Sequence, residues 1–143
     1  MSDLLDTCVR SEYLKHIPHA GVLRWRDAQP ESALFISALN LAEIEKGIYK
    51  MFIQSAQASR HASLTHWLGK VTARFAQRIL PVNAAVWRAW AQQSAAARLQ
   101  GQTLPPMDGL TMATAQSRGL SLVIGNTAVF VRYLQVLNPR ALA

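Results

Sequence analysis

Short apolar runs of strand length alternate with longer amphipathic patterns along most of this chain. Short runs bounded by polar, Gly or Pro residues are typical of buried strands, and apolar residues spaced three or four apart are typical of helices. Strands joined through helices pair in parallel, because each connection has to cross back over the sheet. The alternation therefore predicts an α/β fold whose parallel sheet is covered by helices on both faces. The strand-like runs occupy residues 4–9, 33–37, 79–82, 120–124 and 135–137.

The predicted helices show their buried faces in the spacing of their apolar side chains. The helix after the second strand carries one apolar stripe, formed by Leu41, Ile44, Ile48, Met51 and Phe52. Either Ser37 or Asn40 would cap the start of this helix. We find no internal repeat, low-complexity segment or linker, so we expect a single domain over residues 1–143. The helices are expected over residues 11–17, 19–28, 38–53, 60–78, 83–100 and 107–118. The apolar residues assigned to the helix over 83–100 are Val86, Trp87, Trp90, Ala91 and Leu99, of which the two tryptophans are expected in the core or at a dimer contact.

Net charge restricts the class of partner. Fifteen Lys and Arg residues face eight Asp and Glu residues, which gives a formal charge of +7. This balance favours a polyanionic partner such as nucleic acid, although a basic surface without a partner has the same composition. The single cysteine, Cys8, cannot form an internal disulfide and fits a reducing cytoplasm. The start of the chain lacks the pattern of a secretory signal, and no apolar run approaches the roughly 20 residues of a membrane helix, so no membrane partner is expected.

Three acidic residues lie near the predicted strands. Asp6 follows the first strand, Glu43 is in the first turns of the helix after the second strand, and Asp108 opens the helix before the fourth. The carboxyl ends of parallel strands meet at one edge of the sheet, so these side chains are expected to lie there together. Clustered carboxylates repel each other, and a divalent cation such as Mg²⁺ or Mn²⁺ removes that repulsion. The placement therefore favours a metal site that acts on a phosphoryl group.

Each acid also has a purely structural interpretation. Asp108 follows two prolines and would serve as a helix N-cap. Glu43 lies three residues after Asn40, so it would form a capping-box-like pair or simply face solvent. Asp6 is harder to explain in this way, because an acid at the end of an apolar strand is costly unless a partner satisfies it.

Four stretches of the chain carry motifs in a definite order and spacing. They are "LLDTCVRSE" at 4–12, "FISALNLAEIEKGI" at 35–48, "LPPMDGLTMATAQSRGLSLVIGNTAVF" at 104–130 and "VLNP" at 136–139. Together they resemble the PIN-domain family, and within it the VapC- and FitB-like toxins of bacterial toxin–antitoxin pairs. The resemblance covers nearly the whole chain, and its specificity lies in the combination of motifs rather than in any one of them.

The resemblance implies a three-layer α/β/α sandwich with a central, mostly parallel sheet, and a ribonuclease that depends on Mg²⁺ or Mn²⁺. Residue by residue, Asp6, Glu43 and Asp108 match the leading metal-site acids of the family. Asn126 matches a polar position of the same catalytic cleft, and Thr7 matches the hydroxyl beside the first acid. The resemblance also implies an RNA substrate, a cognate VapB-like antitoxin and a homodimer. Candidates for contacts to the RNA backbone, from their places near predicted strand ends, are Arg10, Arg24, Arg26 and Lys46.

Three positions depart from the family pattern. Cys8 replaces a usual Asn, Gly125 replaces a frequent Arg, and Val129 stands where a fourth acid is expected. Valine offers no ligand, so metal affinity should fall and activity should be weakened or lost. An alternative prediction is therefore a catalytically silent PIN-like binding module that keeps dimer and antitoxin binding. A third is a basic nucleic-acid-binding domain without a metal site, although no helix-turn-helix or zinc-finger spacing supports it.

Overall fold

The computed structural model describes residues 2–6, 20–55, 58–123 and 136–137 of the chain. Within those ranges, no helix combines the length and apolarity needed to cross a bilayer. Two short 3₁₀ turns, Glu31–Ala33 and Ala76–Arg78, lead into the second and third strands. In chain order the other elements are β1 (Asp3–Leu5), α1 (Ala20–Asp27), β2 (Leu34–Ser37), α2 (Ala38–Ser55), α3 (Ala58–Phe75), β3 (Ile79–Leu80), α4 (Ala84–Leu99), α5 (Pro106–Ser117), β4 (Ser121–Val123) and β5 (Val136–Leu137).

The strands form one five-stranded sheet in the order β3-β2-β1-β4-β5, and every pairing is parallel. The chain builds outward from β1 through β2 to β3, and then crosses to the other side of β1 to place β4 and β5. The strand order therefore changes direction between β1 and β4, where Leu5 is in register with Val123. In open α/β sheets, ligands bind outside the carboxyl ends of the strands at such a switch point.

Alternate side chains of each strand enter two different layers of the core. Leu5, Ile36 and Val123 pack on one face with Val71 and Phe75 of α3. Their strand neighbours Leu4 and Leu122 pack on the other face with Met112 and Ala115 of α5. Because both faces are covered by helices, the predicted α/β/α sandwich with a parallel sheet is confirmed.

Helix α5 is buried along most of its length, because α4 covers the side that faces away from the sheet. The contact is close at Gly109, where an added Cβ would lie 3.0 Å from Trp90 Cδ1 and 3.1 Å from Leu104 Cδ2. Val86, Leu110 and Ala113 form the small apolar cluster between the two helices. This packing holds the first turn of α5 in place at the carboxyl edge of the sheet.

The predicted elements agree with the observed ones to within about three residues wherever the chain is described. The apolar stripe on α2 is confirmed for Ile44 and Ile48, which are buried, and is wrong for Phe52, which is 43% exposed. On α4, Val86 is buried, whereas Trp87 is 49% exposed and Leu99 is 90% exposed. The expectation of a core position is therefore wrong for Trp87, and its alternative as a dimer contact stays a prediction. The predicted helix over 11–17 and the ends of the first and fourth strand runs lie outside the described residues.

Arg78 fixes the start of β2 to the end of α3. Its Nη1 donates to the carbonyl oxygens of Glu31, at 2.6 Å, and Leu34, at 2.7 Å. Its Nη2 donates to the Arg74 carbonyl at 3.0 Å, and the guanidinium lies 4.6 Å from the centroid of the Phe75 ring. Five donors in a planar fork suit this arrangement of several acceptors at once.

Candidate active site

The switch point of the sheet is marked by Asp6, which directly follows β1. Its backbone N–H donates to the carbonyl oxygen of Val123 at 2.9 Å, so the hydrogen-bond ladder between β1 and β4 continues to this residue. The residue is half-buried. Sequence reasoning placed Asp6 at a strand end, and the structure puts it at the edge where the strand order reverses.

Asn40 is a buried residue of this edge that sequence reasoning assigned to a helix cap. Helix α2 begins at Ala38, and Ser37 Oγ accepts from the Leu39 N–H at 3.0 Å, so Ser37 is the capping residue. Asn40 is 1% exposed, and its Nδ2 donates to the Leu5 carbonyl at 3.1 Å. The cap interpretation of Asn40 and its capping-box pairing with Glu43 are therefore wrong. The sequence did carry a sign of this burial, because the amide of Asn40 lies on the same helical stripe as Ile44 and Ile48.

Glu43 lies one turn after Asn40 and is half-buried. It lines a groove of about 390 Å³ together with Met107, the residue before Asp108. The first turns of α2 and α5 therefore meet beside this groove. The structure therefore brings Glu43 next to the start of α5, although Glu43 and Met107 are far apart in the sequence.

Asp108 lies in the first turn of α5, but it does not cap the helix. Pro105 occupies the N-cap position and makes no side-chain hydrogen bond there, and Pro106 is the first helical residue. The N-cap interpretation of Asp108 is thus wrong. Burial raises the pKa of this carboxyl above its ordinary value. The cause is loss of water around the carboxyl, because burial disfavours its charged form.

The donor chemistry at this edge fits a hard divalent cation. Asp6, Glu43 and Asp108 carry carboxylates, and Asn40 Oδ1 is a buried oxygen without a donor among the described residues. Within the same ranges, however, no three Asp, Glu, His or Cys side chains converge closely enough to hold an ion. Thr7 and Asn126, which were expected in this cleft, lie outside the described residues. The same holds for the three positions that depart from the family pattern, Cys8, Gly125 and Val129.

The PIN domain family matches residues 4–133 of this chain. The chain is a PIN-domain protein. It is 33% identical over 137 residues to VapC ribonuclease Y4jK of Sinorhizobium fredii, a match that covers 95% of this chain and 96% of the relative. Toxin FitB of Neisseria gonorrhoeae is 30% identical over 137 residues, with the same two coverages. The structure also resembles the crystal structure of FitAcB from Neisseria gonorrhoeae, with a TM-score of 0.87, 30% identity, and coverage of 95% of this chain and 96% of that one.

These similarities confirm the family expected from the sequence motifs. The described parts of the four motifs lie on β1, β2, α2, α5, β4 and β5, so residues far apart in the chain belong to one sheet and the helices that cover it. Of the candidate RNA contacts, Arg24 is exposed on α1, Arg26 forms an ion pair with Asp27 at 3.2 Å, and Lys46 lines the groove beside Glu43. Arg10 lies outside the described residues.

Proposed function

We propose that this PIN-domain protein is a ribonuclease toxin of a toxin–antitoxin pair, which hydrolyses RNA phosphodiesters with Mg²⁺ or Mn²⁺. The observation that carries the proposal is the position of Asp6 at the switch point of the sheet, in a chain that matches a VapC ribonuclease over nearly its full length. The net charge of +7 supports a polyanionic substrate.

In this proposal the carboxylates of Asp6, Glu43 and Asp108 would serve as the metal ligands, with Asn126 in the same cleft, although the three side chains do not converge on one point in this structure. A bound divalent ion would lower the pKa of a water and neutralise charge on the phosphate. Asp108 is suited to this role because its environment already disfavours a lone carboxylate, so a cation would relieve an existing cost. Asn40 acts as a positioning residue, since its bond to the Leu5 carbonyl fixes the chain one residue before Asp6.

The proposal extends to partners and location. A relative named Toxin FitB and a similar FitAcB structure support a VapB-like antitoxin as the protein partner. The homodimer implied by the family resemblance stays a prediction. The lone cysteine supports a cytoplasmic location. The single domain over residues 1–143 stays a prediction.

A second candidate function is a catalytically silent PIN-like module that retains dimer and antitoxin binding. The observation that favours it is Val129, which stands where the family pattern has a fourth acid. With one carboxylate fewer, the site would bind a metal ion more weakly, and a second ion most of all.

One experiment separates the two functions. Purified protein is incubated with single-stranded RNA and Mn²⁺ or Mg²⁺, beside the variants Asp6→Asn and Val129→Asp and a control with chelator. We expect native protein to cleave, and both Asp6→Asn and chelation to abolish cleavage. Cleavage that survives Asp6→Asn would refute the metal-site assignment. Cleavage by Val129→Asp alone would identify the native chain as the silent module.

A further inference from the structure

The groove beside Glu43 extends along α2, away from the candidate metal site. Its lining residues on α2 are spaced three, four and seven apart, so they form a continuous strip of one helix face. Met107 of α5 forms the opposite side. The strip consists of Ala42, Glu43, Lys46, Gly47 and Lys50.

Gly47 is unusual in this strip, because it lies in the middle of an 18-residue helix. A glycine in an exposed helix interior is unfavourable relative to alanine. A Cβ added at Gly47 would meet no atom within 4 Å among the described residues, so packing against them does not require a glycine. Gly69 of α3 has the same open surroundings, so the open space at Gly47 permits close approach of another molecule to the backbone without requiring it.

Lys46 and Lys50 are one helical turn apart and lie on either side of Gly47 in the sequence. Both are exposed, and neither forms an ion pair within the part of the chain that the structure describes. Two ammonium groups at this spacing suit successive phosphates of an extended nucleic acid strand. The groove therefore combines positive charge with a floor that has no side chain at its centre.

We propose that this groove binds the RNA strand adjoining the cleaved phosphate, with Lys46 and Lys50 on its phosphates and Gly47 as the point of closest approach. The inference rests on the proposed ribonuclease function and adds to it the path of the substrate. Charge complementarity supports RNA as the occupant, because the lysines contribute to an excess of seven positive charges. Glu43 at one end of the strip links the path to the candidate metal site.

The first test fills the floor of the groove. Gly47→Ala and Gly47→Leu are compared with Gly69→Ala and Gly69→Leu, because Gly69 is also an exposed glycine inside a helix with nothing within 4 Å of its Cβ position. Alanine at either position should raise Tm by about 3 °C, since helix propensity improves. The Gly47 variants, unlike the Gly69 variants, should weaken RNA binding, and leucine should have a larger effect than alanine. They should also raise KM for cleavage with little change in kcat.

The second test removes the charges. Lys46→Gln, Lys50→Gln and the double variant are compared with Lys70→Gln, an exposed lysine of α3 outside the groove. Affinity for a fluorescein-labelled single-stranded RNA is measured by anisotropy across a range of salt concentrations. Each groove lysine removed should reduce the slope of log K against log salt by about 0.7, as expected for one phosphate contact on a single strand. Lys70→Gln should reduce the slope less.

Binding is measured with chelator present, so that the result does not depend on cleavage. Weaker binding by the Gly47, Lys46 and Lys50 variants, with the Gly69 variants unchanged and Lys70→Gln affected less, would support the groove even if native protein cleaves no RNA. Equal affinities for all variants and native protein would overturn the groove, even if native protein is an active nuclease. Equal loss of affinity in the Lys46, Lys50 and Lys70 variants, with the Gly47 variants unchanged, would also overturn it, because general attraction by surface charge would then suffice.

Discussion

The hydrogen bond from Asn40 to the Leu5 carbonyl makes a quantitative prediction. Asn40→Ala removes the donor and leaves a buried carbonyl oxygen without this partner, which costs about 1–3 kcal/mol. The same change also removes Asn40 Oδ1, a buried oxygen that has no donor among the described residues, so the lower part of that range applies. We expect the free energy of unfolding to fall by about 1.5 kcal/mol, which corresponds to roughly 5 °C in Tm.

Asn40→Asp sharpens the prediction because the two side chains have nearly the same shape. At neutral pH the aspartate places a buried charge against a carbonyl oxygen, so the loss of stability should be larger, about 3 kcal/mol. A protonated aspartic acid can donate to the Leu5 carbonyl, so its pKa is raised in the folded state. Stability is therefore closest to native below the ordinary pKa of Asp and is lost as the pH rises through the raised value.

The assay is urea unfolding followed by tryptophan fluorescence at pH 4 and pH 7, for which the chain has four tryptophans. Gln54→Ala, which removes an exposed amide from the same helix, is the control and should change stability by less than about 0.5 kcal/mol. RNA cleavage measured well below Tm should also fall in Asn40→Ala, because Asp6 follows the released carbonyl. Native stability of Asn40→Asp at pH 7 would refute the assigned hydrogen bond.

Three further predictions concern the carboxyl in α5 and the anchoring of β2 and α4. Burial raises the pKa of Asp108, so native stability falls as the pH rises through that pKa; Asp108→Asn should therefore raise Tm at pH 7 but not at pH 3, while abolishing cleavage. Urea unfolding of Arg78→Ala should show a loss of about 2 kcal/mol, because three carbonyl oxygens lose a charged donor, whereas Arg74→Ala, in an exposed ion pair with Glu31, should lose about 0.5 kcal/mol. Asn83→Ala removes the side chain that accepts from the Val86 N–H at the start of α4, and thermal unfolding should show a loss of about 1 kcal/mol. The first prediction is contradicted if Asp108→Asn changes Tm equally at pH 3 and pH 7. The second is contradicted if Arg78→Ala and Arg74→Ala lose equal stability, and the third if Asn83→Ala leaves Tm unchanged.

The sequence by itself determined the class of fold and the elements that build it. Strand and helix periods are local properties of the chain, which is why the described elements were predicted to within about three residues. The order of the motifs also identified the PIN-domain family and selected Asp6, Glu43 and Asp108 as candidates. Their assignment as metal ligands, with Asn126 in the same cleft, stays a prediction.

Tertiary structure decided what local patterns left open. From the sequence, Asn40 and Asp108 were both interpreted as helix caps, because the same residue types near a helix start can form either a cap or a buried contact. The partner of Asn40 is Leu5, 35 residues away, and the burial that raises the pKa of Asp108 comes from folding α5 into the interior. The strand order that places Asp6 at a switch point likewise depends on pairing between β1 and β4, which are more than 100 residues apart. Contacts of this range follow from how the whole chain packs, and no local period in the sequence encodes them.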